Sequence, residues 1–172
     1  MTRRVRCAAA VLAAAVLSVV LVACVPEPEP SPSPTGFASE EEAFAAAEAT
    51  YRAYVDAGNA RREDPDSLPD PTVFLTGAAL TAELASEQKF DDAGVSLKGD
   101  LTVHSIQEVS ATQSNVELDT CIDASLTRVI EVETGADVTP AERDDIFGMT
   151  IQIVWSPTGP LISSTTPNDD QC

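Results

Sequence analysis

Apolar and polar positions follow three regimes along this chain. From Ala8 to Ala23 the residues are apolar except for Ser18. From Val25 to Gly36 alternate prolines take over, at Pro26, Pro28, Pro30, Pro32 and Pro34. Proline fixes φ and lacks a donor, so this stretch is barred from helix and disfavoured in a sheet. From Glu40 onward the pattern becomes that of a folded domain. Phe44, Ala47, Tyr51, Tyr54 and Val55 recur at a 3.6-residue period, which predicts a helix over about residues 40–57. Ser39 and Glu42 have capping-box spacing, and Glu40, Glu41 and Glu42 sit at the positive end of the helix dipole. Gly58 or Asn59 is the expected stop.

Arg61 to Pro71 breaks the pattern with three prolines and four acids. The acids lack the mid-loop Gly and terminal Glu of a calcium-binding EF-hand loop, so the segment reads as a solvated loop. A second helix is predicted over about 77–90, with Leu80, Leu84 and Ala85 inward and Asp91-Asp92-Ala93-Gly94 closing it. From Val95 the period changes to two. Strands over 101–109 and 115–122, joined by the polar turn 110–114, form a predicted hairpin. Val116, Leu118 and Ile122 share one face of the second strand; Glu117, Asp119, Cys121 and Asp123 share the other. A third strand over 126–132 places Leu126, Ile130 and Val132 on a face with Arg128. Beyond a polar insertion at 135–145, Phe147, Met149, Ile151, Ile153 and Trp155 alternate cleanly. A turn at 156–160 leads to a final short or edge strand over 161–166. Helices followed by a run of antiparallel strands imply α+β, with N-terminal helices packed on a curved antiparallel sheet, a cone-shaped roll.

The N-terminal regime sets the compartment. Arg3, Arg4 and Arg6 precede the apolar run. At about 1.5 Å per residue its sixteen residues span roughly 24 Å, short of the roughly 30 Å hydrocarbon core and suited to a secretory signal. Leu21-Val22-Ala23-Cys24 resembles the lipobox of bacterial lipoproteins. That resemblance implies cleavage of residues 1–23, acylation of Cys24 as the new N-terminus, and a chain held at the extracytoplasmic face of the cell membrane. Residues 24–36 would then be a tether and 37–172 a single domain. An extended polyproline chain rises about 3.1 Å per residue, so twelve tether residues reach roughly 37 Å.

Charge narrows the partners. The chain carries −18 formally; three of its ten basic residues and none of its 28 acids precede Cys24, so the mature form carries −21. Such a body repels nucleic acid, whose binding rests on Lys and Arg neutralising phosphate. It is also repelled by anionic lipid, but over a Debye length of only about 8 Å. Two buried acyl chains contribute on the order of 20 kcal/mol. The anchor wins when the tether holds the domain off.

Within the domain, the Leu75–Leu80 helix start (Leu-Thr-Gly-Ala-Ala-Leu), the Ala93–Val95 turn and the Cys121–Ser125 stretch (Cys-Ile-Asp-Ala-Ser) look like actinobacterial lipoproteins. These are related to the cone-shaped fold of nuclear transport factor two and polyketide-cyclase-like proteins. In the cyclase-like enzymes a His or Asp in the cone performs acid–base work. Here that role would fall to His104, the chain's one histidine, with Asp119 or Asp123 as its partner. The alternative is a partly exposed strand histidine. Tyr51, Tyr54, His104 and Trp155 are the pocket candidates; aromatic residues at such positions are more often core, and the aromatic three carry that reading first.

Cys7 falls in the leader and Cys24 in the lipobox, which leaves Cys121 and Cys172. Outside the cytoplasm two thiols in one domain favour a disulfide. The other possibility is a free or intermolecular Cys172 at the chain's last residue. One His and no clustered Cys fall short of zinc ligation, and no phosphate loop, nucleophile elbow or HExxH is present. The expectation is therefore a non-catalytic lipoprotein, with no cofactor and no metal, whose cone binds a small apolar ligand or an envelope protein. Homodimerisation through the sheet is a further possibility. The competing expectation is a cyclase- or isomerase-like enzyme using His104 with Asp119.

Overall fold

A computed structural model describes residues 36–169 and Cys172. The leader, Cys24 and nearly all of the tether lie outside the described residues, and so do the expectations attached to them. The domain begins with helix α1, Glu40–Glu63, which is followed by a short 3-10 helix at Pro71–Phe74 and helix α2, Gly77–Ala93. Six strands follow: β1 Val95–Lys98, β2 Thr102–Ala111, β3 Asn115–Asp123, β4 Arg128–Glu131, β5 Ile146–Ser156 and β6 Gly159–Pro167. The class is α+β, with helices packed on a curved antiparallel sheet.

The main sheet runs β2-β3-β5-β6, and β1 pairs with β4 in a separate two-stranded sheet. The β3–β5 register sets Val116 opposite Ile153, Leu118 opposite Ile151, Thr120 opposite Met149 and Ile122 opposite Phe147. The period-two pattern of both strands therefore lands on one inner face. Extra residues at His104, Val109 and Ser163 interrupt the edge-strand registers. Each such bulge bends its strand and raises the local twist, which curves the sheet.

Helix α1 packs over β2, β3 and β6. It lays Ala43, Phe44, Ala47, Tyr51 and Val55 on the inner face, where Val116, Leu118, Ile151, Ile153 and Ile162 are also buried. Burying an aliphatic side chain of this size contributes roughly 1.5–3 kcal/mol, so this layer holds the domain together. Ser39 Oγ accepts from the Glu42 amide at 3.1 Å, as the capping spacing predicts; Glu42 reaches back to the Ala38 amide at 3.2 Å rather than to that of Ser39. Phe37 closes one end, its ring edge-on to Trp155 at 5.0 Å and its amide bonded to the Gln113 carbonyl at 2.8 Å.

Four expectations are corrected. First, α1 runs through Gly58 to Glu63, because Asn59 is held from outside the helix by the backbone of Leu101. Second, α2 turns Ala79 inward and leaves Leu84 51% exposed, with Ala85 also exposed; the helix lies mainly against the sheet margins, β6 and β1, which cover a narrow stripe of it. Third, the predicted 126–132 strand shortens to Arg128–Glu131 and leaves the main sheet to pair with β1, so that Leu126 and Val132 stand exposed. Fourth, the last strand is not short: it spans nine residues, at the edge as predicted.

Candidate functional site

The concave side of the sheet is where a cone would hold a ligand. Side chains fill it. Leu118, Ile153 and Ile162 are wholly buried, and Tyr51 is 4% exposed. The Tyr51 hydroxyl accepts from Thr120 Oγ1 at 3.4 Å, and Thr120 also lies 3.3 Å from the Met149 carbonyl. Burial pushes the Tyr51 phenol up, against the opposing pull of Thr120. Among the described residues, no buried side-chain nitrogen or oxygen lacks a partner.

Of the sequence-predicted candidates the structure brings Tyr51 and Tyr54 together, their ring centroids 6.3 Å apart, and leaves Trp155 and His104 elsewhere. Tyr54 belongs to the seam between the helices: its hydroxyl donates to Glu83 at 3.0 Å, and burial with the Glu83 charge pushes its ionisation up. Trp155 stands at the Phe37 end, half-buried. His104 occupies the β2 bulge and is exposed rather than turned into the concavity. A bulge slips the side-chain alternation by one, so simple strand parity does not give the direction of His104. Asp119 faces away from the core, where its carboxylate accepts from Thr150 Oγ1 at 2.6 Å and Asn168 Nδ2 at 3.1 Å. Asp123 lies nearer His104, but its carboxylate accepts from the Ser125 amide at 2.8 Å. The hydrogen bonds from Ser125 hold Asp123 below the usual carboxylate range, with the His104 charge a small addition. His104 and Asp119 thus form no acid–base pair in this geometry.

Cys121 and Cys172 do come together, at disulfide distance with Cα atoms 5.6 Å apart. The pairing ties the last residue to the outer face of β3. On that face Gln152 donates to Glu117, and Asn168 Nδ2 is 3.0 Å from Thr150 Oγ1.

An open groove of about 360 Å³ lies between α1 and the entry to β2. Arg52, Asp56 and Asn59 form one wall, and Asp100 to Val103 the other, with Val55 beneath. Arg52 is paired with Glu48 at 2.8 Å, and Asn59 is committed to Leu101. Arg52, Asp56 and Asn59 sit at i, i+4 and i+7, so their shared helix flank was readable from spacing; the opposing wall was not. A second hollow of about 130 Å³ lies beside Phe37 and Gln113. None of the four pocket candidates lines either one. Among the described residues, no three His, Cys, Asp or Glu side chains are grouped to hold a metal ion. No helix among them is long and apolar enough to cross a membrane.

The chain matches no family model and no curated protein sequence. Its fold is similar to that in the crystal structure of the intermembrane space region of the chloroplast protein ARC6, at 17% identity and a TM-score of 0.50. The match covers 74% of this chain and 96% of that one, and at this identity the likeness extends to the fold alone.

Proposed function

We propose that this protein is a lipid-anchored, non-catalytic domain on the extracytoplasmic face of the cell membrane, and that it docks an envelope protein. The observation that carries the reading is the filled interior. A cone that stores an apolar ligand needs an apolar chamber, commonly about 300–1,000 Å³. Here Tyr51, Leu118, Ile151, Ile153 and Ile162 occupy that space, and the groove beside α1 is open and walled by Arg52, Asp56, Asn59 and Asp100. Ligand storage is the weaker of the two original expectations, and an outer surface used for contact is the stronger.

The lipobox-like Leu21–Cys24 and the Pro-rich segment support the anchor and its stand-off distance. The kinship with nuclear transport factor two-like domains belongs to the same proposal, supported by the α+β layout and the quoted motifs. An enzyme of the cyclase kind draws little support from an exposed His104 whose candidate partner Asp119 is already bonded to Thr150 and Asn168. A homodimer through the sheet would have to form on the outer face, over the Glu117–Gln152 and Asp119–Thr150 pairs.

The test places photoreactive side chains one at a time over the surface of the full chain in its native cells. The expected result is a covalent adduct with a protein of discrete mass, lost when Cys24→Ala abolishes anchoring. Adducts with lipid alone, no adduct at any position, or a measurable turnover would overturn the proposal.

A further inference from the structure

Half of the large apolar side chains exposed among the described residues fall within a single 21-residue stretch: Leu126, Val132, Val138 and Ile146, each 46–67% exposed. Single exposed apolar residues are ordinary on any protein surface, whereas a concentration of them marks a contact surface. The stretch is also one folded lobe. Arg143 stitches it together: its Nη2 donates to the carbonyls of Ala124 and Thr127, its Nη1 to Thr127 Oγ1, each at 2.8 Å, and its Nε to Asp145 at 3.1 Å. The Val138 amide bonds the Val129 carbonyl at 2.9 Å, and the Val129 amide bonds Thr139 Oγ1 at 2.8 Å. The 132–145 insertion therefore folds back along β4 instead of leaving the body.

The charges of the lobe are lopsided. Residues 126–146 hold six acids and two arginines. Both arginines are engaged within the lobe: Arg143 as above, and Arg128 with the Ser125 and Thr127 carbonyls and, at 3.7 Å, Asp137. Asp137 and Asp145 are likewise engaged, with Thr139 and Arg143. Glu133, Glu142 and Asp144 are exposed and make no hydrogen bond or ion pair among the described residues. Along the lobe, exposed apolar side chains are thus interspersed in sequence with exposed carboxylates that make no pairing of their own among the described residues.

We infer that this lobe is the docking face for a basic, amphipathic segment of a protein partner. The inference rests on the docking reading above and names its surface and the partner's chemistry. A partner with alternating cationic and apolar side chains covers Val132, Val138, Leu126 and Ile146 while neutralising Glu133, Glu142 and Asp144. A second copy of this chain would bring like charge against like, and an anionic lipid surface would do the same. Charge complementarity of this kind sets partner choice and association rate, and apolar contact at the centre sets residence time.

The test uses the full mature chain in nanodiscs of zwitterionic lipid. The probes are a synthetic peptide of alternating Lys and Leu and its Glu/Leu counterpart, followed by hydrogen exchange. The expected result is protection confined to residues 126–146 with the Lys/Leu peptide only, an affinity that falls steeply with salt, and at least tenfold weaker binding for V132D/V138D. These two side chains are exposed, so the variant is expected to stay folded. E133K/E142K/D144K, which alters no packed side chain, should weaken binding to a similar degree. Protection spread over the whole acidic surface or confined to the Arg52–Val103 groove, equal binding by the variants, or no binding of either peptide would each overturn the inference. A native photo-adduct mapping elsewhere on the domain would overturn it while leaving the docking proposal standing, whereas the absence of any adduct removes both.

Discussion

The side-chain amide of Asn59 grips the backbone of Leu101 at both ends, its Nδ2 donating to the carbonyl and its Oδ1 accepting from the amide, each at 2.9 Å. The helix thereby supplies the hydrogen bonds that another strand would give at the entry to β2. The same contact carries α1 past Gly58, where a helix would otherwise be free to end. A buried or half-buried backbone group left unpaired costs about 1–3 kcal/mol. Asn59→Ala removes partners from two such groups, and we expect it to lower stability in urea by roughly 2 kcal/mol. Asn59→Asp retains the acceptor and loses the donor, and should fall between the two. Equal midpoints for wild type and Asn59→Ala would contradict this assignment.

The interior depends on close packing of the inner face. Leu118 is wholly buried opposite Ile151. Leu118→Ala should cost about 2–5 kcal/mol, the range for truncation that leaves a partly collapsed cavity. The variant should also gain an apolar void able to take up xenon, whereas the wild type should not. Xenon uptake by the wild type would show an unfilled chamber and revive apolar-ligand storage.

Cys121 and Cys172 are 51 residues apart in sequence. Closing a loop of that length contributes about 4 kcal/mol in the chain-entropy model. Reduction, or Cys172→Ser, should lower the denaturation midpoint accordingly and raise exchange around Asn168. Thiol titration of the unfolded, unreduced domain should find no free cysteine. Two free thiols per chain would reject the bond.

Asp70 caps the 3-10 helix. Its carboxylate accepts from the Thr72 hydroxyl at 2.6 Å and the Thr72 amide at 2.9 Å, and Arg61 meets its other oxygen at 2.5 Å. The Thr72 hydroxyl bond and then its amide bond hold this carboxyl below the usual carboxylate range, with Arg61 adding to the effect. A depressed carboxyl stabilises the fold above its unfolded pKa of about 4, and that stabilisation fades as pH falls towards the folded value. Asp70→Ala should therefore cost roughly 1 kcal/mol at pH 7, as for other cap removals. The gap to wild type should narrow below about pH 4. A gap that is independent of pH would mean that the charge plays no part.

His104→Ala tests the non-enzymatic reading. The side chain is exposed on a bulge, so stability should stay within about 0.5 kcal/mol of wild type. Any cellular role should survive the change. Loss of a measurable turnover would reinstate the acid–base proposal.

Local chemistry was sufficient to determine much of this protein from its sequence. Ser39 and Glu42 placed the start of α1 because a cap is made within a few residues. The alternation through Val116–Ile122 and Phe147–Trp155 placed β3, β5 and their inner faces, because side-chain direction follows chain position in an unbulged strand. The charge and the proline run were likewise read directly. Tertiary structure decided whatever depends on residues far apart in the chain. Leu101 kept α1 going past Gly58, the β1 partner drew Arg128–Glu131 away from the main sheet, and a bulge turned His104 out of the concavity. Tyr51, Tyr54 and Trp155 share an aromatic character that suggested a common pocket; Tyr51 and Tyr54 do lie side by side, but Thr120 and Glu83 hold them in the core and the helix seam, while Trp155 packs on Phe37. Periodicity specifies which way a side chain points from its own element, but only the assembled neighbours determine what it meets there.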